Sequence, residues 1–180
     1  MAEFKAFSPE VEVAGRAVLS IMGGLELMRQ RAMRILNTAG IPELQPDAWY
    51  PQQAVLDTFK TVFEKIGPST VQTIGRKIPD HASFPPDIDT LEKALHSLDV
   101  AYRMNHRGAR NLGSFRVTME GPRKARVLAD NPYPCVMDLG LVEGMADRFR
   151  PKDAVHLRVE HAPGPCRHKG GATCTYEVAW

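Results

Sequence analysis

A chain of 180 residues, 43% hydrophobic and 24% charged, has the length and composition of one globular domain whose core needs no staples. Lys and Arg number 23 against 21 Asp and Glu, and the densest basic stretch, Arg103 to Arg110, is interrupted by Met, Asn, Gly and Ala, so nucleic acid is not an expected partner. The opening ten residues lack the basic-then-apolar layout of a secretory signal, and no apolar run nears the ~18 residues that cross a bilayer. No membrane span and a cytoplasmic location are the expectation.

Residues 11–37 carry Val18, Ile21, Met22, Leu25, Met28, Ala32 and Ile35 at three- and four-residue steps, which predicts one long helix. Gly23-Gly24 marks a bend or a close contact within it, and Gly40 with Pro42 ends it. Apolar residues on more than one face make this helix the place for a homodimer interface, with packing inside the monomer as the plainer role. A loop bearing Trp49 and Tyr50 follows. The second helix, about 52–66, aligns Val55, Phe59, Val62, Phe63 and Ile66 and stops at Gly67-Pro68. A short third helix turns Val71, Ile74 and Ile78 inward, with Pro79 just beyond. After a proline-bearing connection around Phe84, a fourth helix near 88–105 turns in Leu91, Leu95, Leu98 and Tyr102.

Past Gly108 the period becomes two. Residues 112–119 and 124–129 read as strands around a Gly121-Pro122 turn. Residues 138–148 read as a helix, and 154–161 and 173–179 as strands joined by a hairpin rich in Pro, Gly and Cys. Helices first, then strand-strand-helix-strand-strand, predicts an α+β fold: a four-stranded antiparallel sheet with an inserted helix and the other helices mostly on one face. It is read as a single domain over 1–180, with a helical half (1–108) and a sheet and cysteine-rich half (109–180). A cavity between sheet and helices is a natural place for a small hydrophobic ligand.

The three cysteines fall in two clusters: Cys135 ahead of Gly140 and Gly144, then Cys166-Arg-His-Lys-Gly-Gly-Ala-Thr-Cys174. Three thiols cannot all pair within the chain. With a His or Glu from the preceding strand they supply four ligands for a tetrahedral zinc; as small buried residues they equally fill core space.

Cys135 with its two glycines and the Cys-Arg-x-Lys-Gly-x-x-x-Cys run resembles the vinyl-4-reductase-type small-molecule-binding domain. The likeness is greatest to the sensing domains of bacterial activators that respond to phenols and xylenes, and it covers roughly 105–180. Subunits of the TRAPP vesicle-tethering complex and haem-based nitric oxide sensors belong to the same superfamily. The ending Cys-Thr-Tyr-Glu-Val-Ala-Trp180 and the run Asn105-His-Arg-Gly108 also resemble a family of uncharacterised proteins prominent in myxobacteria. The resemblance implies a structural zinc tying the last hairpin to the helix after Cys135, beside a pocket for an aromatic effector. In the sensors a glutamate three residues before the second cysteine completes the set, and here that position is Pro163. Glu160 and His161 lie a little earlier, across an insertion in the hairpin, and are the candidates for the fourth ligand. In Val155-His-Leu157-Arg-Val159-Glu-His161 the apolar residues hold the odd positions, which puts His161 on the inward face and favours it, with Glu160 as the alternative. Arg167 and Lys169 either offset the thiolate charge or form a solvated basic turn.

For the pocket, Tyr102 and His106 are candidates to hold a phenolic or carboxylate group, and Trp49, Phe63 and Phe84 are candidate apolar walls; the plainer roles are helix termination and core packing. Haem is the lesser cofactor expectation, because the Tyr-x-Ser-x-Arg signature that grips its propionates in the nitric oxide sensors is absent. No Gly-x-Ser-x-Gly elbow, phosphate loop or paired-histidine motif points to catalysis. The expectation is a sensor or regulatory binding domain without an attached output domain, acting through a homodimer or a separate output protein. A scaffold without ligand, like the tethering subunits, is the rival.

Overall fold

The computed structural model describes residues 3–180; Met1 and Ala2, at the head of the stretch read for a secretory signal, lie outside the described residues. Residues 114–121, 124–130, 158–161 and 174–179 form the main sheet. In chain order, and counting the short strands described below, these are β4 (Ser114–Gly121), β5 (Lys124–Asp130), β6 (Arg158–His161) and β7 (Cys174–Ala179). They pair antiparallel, as the alternating stretches predict, and their order is β4-β5-β7-β6. The register aligns Phe115 with Ala129, Val127 with Tyr176 and Ala125 with Val178, and all six are buried. The opposite face carries Arg126, Glu177, Lys124 and Glu120 in exposed ion pairs. One apolar face and one charged face put the helices on one side only.

The helix inserted between β5 and β6 lies against β6 and β7, and an earlier helix packs on it in turn. The third and fourth α-helices in chain order are α3 (Gln52–Lys65) and α4 (Pro68–His81), and α7 (Cys135–Arg148) is the helix inserted between β5 and β6. Helices α4 and α7 meet through glycines. A Cβ at Gly75 would lie 2.1 Å from the Met137 carbonyl oxygen, one at Gly140 2.0 Å from that of Gln72, and one at Gly144 2.6 Å from that of Arg76. Gly140 and Gly144, four residues apart, share one face of α7, so the backbones touch where any side chain would hold them apart. The contact runs along the first three turns of α7 and fixes where Cys135 and Asp138 stand.

The predicted helix over 11–37 is instead a strand and two helices: β1 (Glu12–Ala14), α1 (Gly15–Gly24), a 3-10 turn at Glu26–Met28, and α2 (Arg29–Thr38). Val11, Glu12 and Val13 alternate, a strand signal hidden at the edge of a helical period. Gly23-Gly24 serves both suggested ends: the helix stops there, and a Cβ on Gly24 would meet Ile74 at 2.4 Å. Strand β1 sits between β2 (Trp49–Pro51) and β3 (His106–Arg107), a small second sheet that pairs Val13 with Tyr50 on one side and His106 on the other. The predicted fourth helix is broken at Ser97 into α5 (Leu91–His96) and α6 (Leu98–Met104); the Ser97 hydroxyl donates to the Ala94 carbonyl at 2.7 Å. Helix α4 runs through Pro79 rather than stopping before it. No helix among the described residues is long and apolar enough to cross a membrane.

Gly140→Ala forces a methyl into the Gln72 carbonyl and is expected to cost about 3 kcal/mol, measured as a lower urea midpoint; an equal substitution at Gly121, where nothing lies within 4 Å, is expected to cost far less.

Candidate functional site

Cys135 opens α7, Cys166 and Cys174 lie at the two ends of the last hairpin, and His161 ends β6 opposite Tyr176. One ligand atom from each, three Sγ and one imidazole nitrogen, all fall within 4.8 Å of one another. The Cys166 sulfur is 3.9 Å from those of Cys135 and Cys174. Four ligands on a tetrahedron about 2.3 Å from a common centre stand about 3.8 Å apart, so this spacing suits zinc. The His161 ring supplies a second test. Its Nδ1–H donates to the Ala162 carbonyl at 2.8 Å, which leaves Nε2 as a lone-pair donor, and that buried nitrogen finds no partner among the described residues. A backbone carbonyl orienting one ring nitrogen while the other faces the cluster is the usual support of a metal-bound imidazole. Glu160 points away: it is exposed and pairs with Arg158 at 2.6 Å.

The charge of such a set is met from behind. The Arg167 backbone N–H and Nε donate to Cys174 Sγ at 3.3 and 3.4 Å. Hydrogen bonding from Cys135 first, then from Arg167, pushes the Cys174 thiol down, while the Cys135 thiol is pushed up by the same bond and by burial. Arg167 has no exposed surface. Its Nη1 reaches the Asn131 carbonyl and side-chain oxygens, and its Nη2 pairs with Asp138 Oδ2. Lys169 is exposed and takes no part. Glu3, buried, accepts the Cys135 N–H at 2.6 Å and faces His168 at 3.1 Å, so a carboxylate caps α7 at the end that carries the cysteine cluster. The cluster borders a surface cleft of about 390 Å³.

Through Asp138 the network reaches a second feature, a cavity of about 60 Å³ between α1, α3, α6, α7 and the sheet. Tyr102, His106 and Phe84 border it, as the sequence candidates do on paper; Trp49 and Phe63 do not. Trp49 lies under the Arg107 guanidinium, 4.2 Å from the ring centre, and Phe63 packs on Phe4 and His168 near the hairpin. His106 has both ring nitrogens engaged. Nδ1–H donates to the Tyr102 carbonyl at 2.7 Å, and Nε2 accepts from the Tyr133 hydroxyl at 2.7 Å. It is stacked on Tyr102 at 4.0 Å. Burial pushes its pKa down to about 4.

No protein-family model matches the chain, and no curated protein does. Solved structures do. One determined to probe haem distortion in the H-NOX family aligns over 92% of this chain and 94% of its own, with a TM-score of 0.67 and 16% identity. A mutant H-NOX protein of T. tengcongensis aligns over 91% and 94%, at 0.63 and 17%. An H-NOX protein from S. oneidensis aligns over 92% and 97%, at 0.61 and 14%. The chain has the H-NOX fold. The likeness to these H-NOX structures runs along nearly the whole length, including the helical half, for which the sequence offered only compatible order. Asp138, Asn131 and Tyr133 escaped the sequence reading altogether. An aspartate amid Val136, Met137, Leu139 and Leu141 was the available signal for the first; nothing local marks the other two.

The buried imidazole has a measurable consequence. In the unfolded chain it titrates near 6.5, in the folded protein at about 4, so the folded state binds fewer protons between those values. The His106 contribution is complete above pH 6.5 and lost as pH falls toward 4, about 3 kcal/mol in all. His106→Gln is expected to lose less stability on acidification through that window than the parent protein, read from urea midpoints at neutral pH and near pH 4.

Proposed function

We propose that the chain is a small-molecule-binding domain of the sensing type, its C-terminal hairpin pinned by a structural zinc on Cys135, His161, Cys166 and Cys174. The observation that carries this is the convergence of the four ligand atoms, with the unpartnered His161 nitrogen facing them. Four protein ligands close the coordination shell, so the ion joins elements and leaves no place for a catalytic water. Its charge would offset two of the three thiolates, and the third gains from the Arg167 N–H groups that donate to Cys174 Sγ; the residues around it hold the hairpin on α7. The same helix presents Met137, Asp138 and Leu141 to the cavity, so metal centre and cavity share a wall.

The cavity suits a small, largely apolar molecule. Ala82 and Phe84 border both it and a surface cleft of about 280 Å³, and Phe84 sits on the proline-bearing connection between α4 and α5. Turning the Phe84 ring would join the two spaces and admit a larger ligand. Output through a second copy or a separate protein would fall to exposed apolar residues such as Leu27, Met28 and Met33.

A haem-based gas sensor is the second reading, supported by the H-NOX neighbours. The residues do not fit that group. A cavity of about 60 Å³ is far below the ~300 Å³ of even the smaller drug-sized pockets, and His106 has no nitrogen to spare for iron.

Protein purified without chelator is expected to hold about one zinc per chain, and Cys166→Ser and His161→Ala much less. Metal near zero in the parent protein, with freely alkylating thiols, would sink the zinc site. In a thermal-shift screen of small phenols, fatty acids and tetrapyrroles, a small aromatic is expected to raise the midpoint with concentration, whereas a scaffold responds to none. Added haemin is expected to produce no Soret shift.

A further inference from the structure

Six polar side chains border the cavity: Ser20, Tyr102, Asn105, His106, Tyr133 and Asp138. The chain satisfies five of them. The Ser20 hydroxyl donates to the Ala17 carbonyl and the Tyr102 hydroxyl to that of Leu112, each at 2.7 Å. Asn105 gives its two N–H groups to Ser83 and Ala101 and accepts from the Ser83 amide. His106 and Tyr133 serve each other. Asp138 is the exception. Its Oδ2 accepts from Arg167 and Asn131, while Oδ1, buried to the same degree, finds no partner among the described residues. A buried carboxylate oxygen without a donor costs free energy, and a group in the cavity is placed to remove that cost.

We propose that Asp138 Oδ1 is the anchor of the cavity's ligand, and that this ligand is a small neutral molecule with an N–H or O–H donor on an otherwise apolar body. This rests on the reading of the cavity as a ligand site. The donor requirement follows from the unpartnered oxygen: a molecule with acceptors alone would set lone pair against lone pair. Neutrality follows from the apolar walls and from Arg167, which is already paired with the carboxylate with no exposed surface on either partner, so a cation would give up its hydration for an acceptor that another cation holds. An anion meets the carboxylate directly and is repelled. The walls around the body are apolar, among them Val18, Val55, Phe59 and Leu141. His106 and Tyr102, the sequence candidates for the polar contact, become walls in this arrangement because their polar atoms are spent within the protein.

Three five-membered rings of nearly equal size separate these requirements: pyrrole offers an N–H, furan only an acceptor, and pyrrolidine at neutral pH a cation. Binding of each to the zinc-loaded protein is followed by two-dimensional NMR titration at millimolar concentration, with shifts at Met137, Asp138 and Leu141 marking the site. Pyrrole is expected to bind there at least about tenfold more tightly than furan, the effect of a hydrogen bond to a charged acceptor, and pyrrolidine more weakly than either. Asp138→Asn keeps an oxygen toward Arg167 and turns its NH2 to the cavity, so the preference is expected to reverse toward furan. Should that variant not fold, the comparison in the parent protein decides alone. Furan binding as tightly as pyrrole means that water serves Oδ1, which overturns the anchor and leaves the cavity reading standing. Pyrrolidine binding best overturns the neutral class. If none of the three shifts these residues, the cavity reading falls and the anchor with it.

Discussion

Much of the structure depends on one buried ion pair. Arg167 and Asp138 have no exposed surface, and each is costly to bury alone. The pair forms only when the last hairpin lies on α7, because Arg167 belongs to the hairpin and Asp138 to the first turn of the helix. Docking them brings Cys166 and Cys174 to Cys135, and the Tyr176 hydroxyl to the Cys135 carbonyl at 2.8 Å. Breaking either partner leaves the other charge stranded, so the arrangement is specific even if its net stabilisation is small. Burial draws the Asp138 carboxyl up to about 6, and the Arg167 contacts pull against that rise.

A second constraint works on the other side of α7. The glycine contact with α4 permits no lateral slack, so a helix held by backbone on one face and by an ion pair on another carries its residues with little freedom. Cys135 at the N-terminus and Asp138 a turn later then stand in fixed relation, one toward the thiols and one toward the cavity. This geometry would let a single helix serve both the proposed metal centre and the proposed ligand site. It also means that a change at either is felt by the other, since a packed core has few intermediate positions. The Cys–Gly–Gly pattern, read as a family mark, acquires a physical meaning: the cysteine needs the glycines because they seat its helix.

The α+β order and the sheet were legible because strand alternation is a short-range signal and the sheet has one wet face. The preference for His161 over Glu160 came from the same parity, and their opposite orientations follow from β6 pairing with β7. The helical half was less readable. Glu12 to Ala14 became a strand because β2 and β3, distant in the chain, offer it partners on both edges. Ser97 divides a helix whose apolar period runs unbroken across it. Phe63 and Trp49 shared the composition of a pocket wall, yet long-range packing gave Phe63 to the N-terminal segment and Trp49 to Arg107. No period distinguishes one apolar destination from another.

Periodicity and motif spacing, which depend on neighbours a few residues apart, were enough to establish the architecture, the absence of a long apolar span and the residues with metal-ligating chemistry. The assembly of the chain settled which polar atoms are satisfied. His106 looked available from its position at a helix end, but Tyr133, 27 residues on, occupies its second nitrogen. Asp138 drew no notice in the sequence, but Arg167, 29 residues on, takes one of its oxygens, and the other has no partner among the described residues. Hydrogen-bond demand is a property of each residue; whether it is met depends on partners that only the folded chain brings within 3 Å or so of one another.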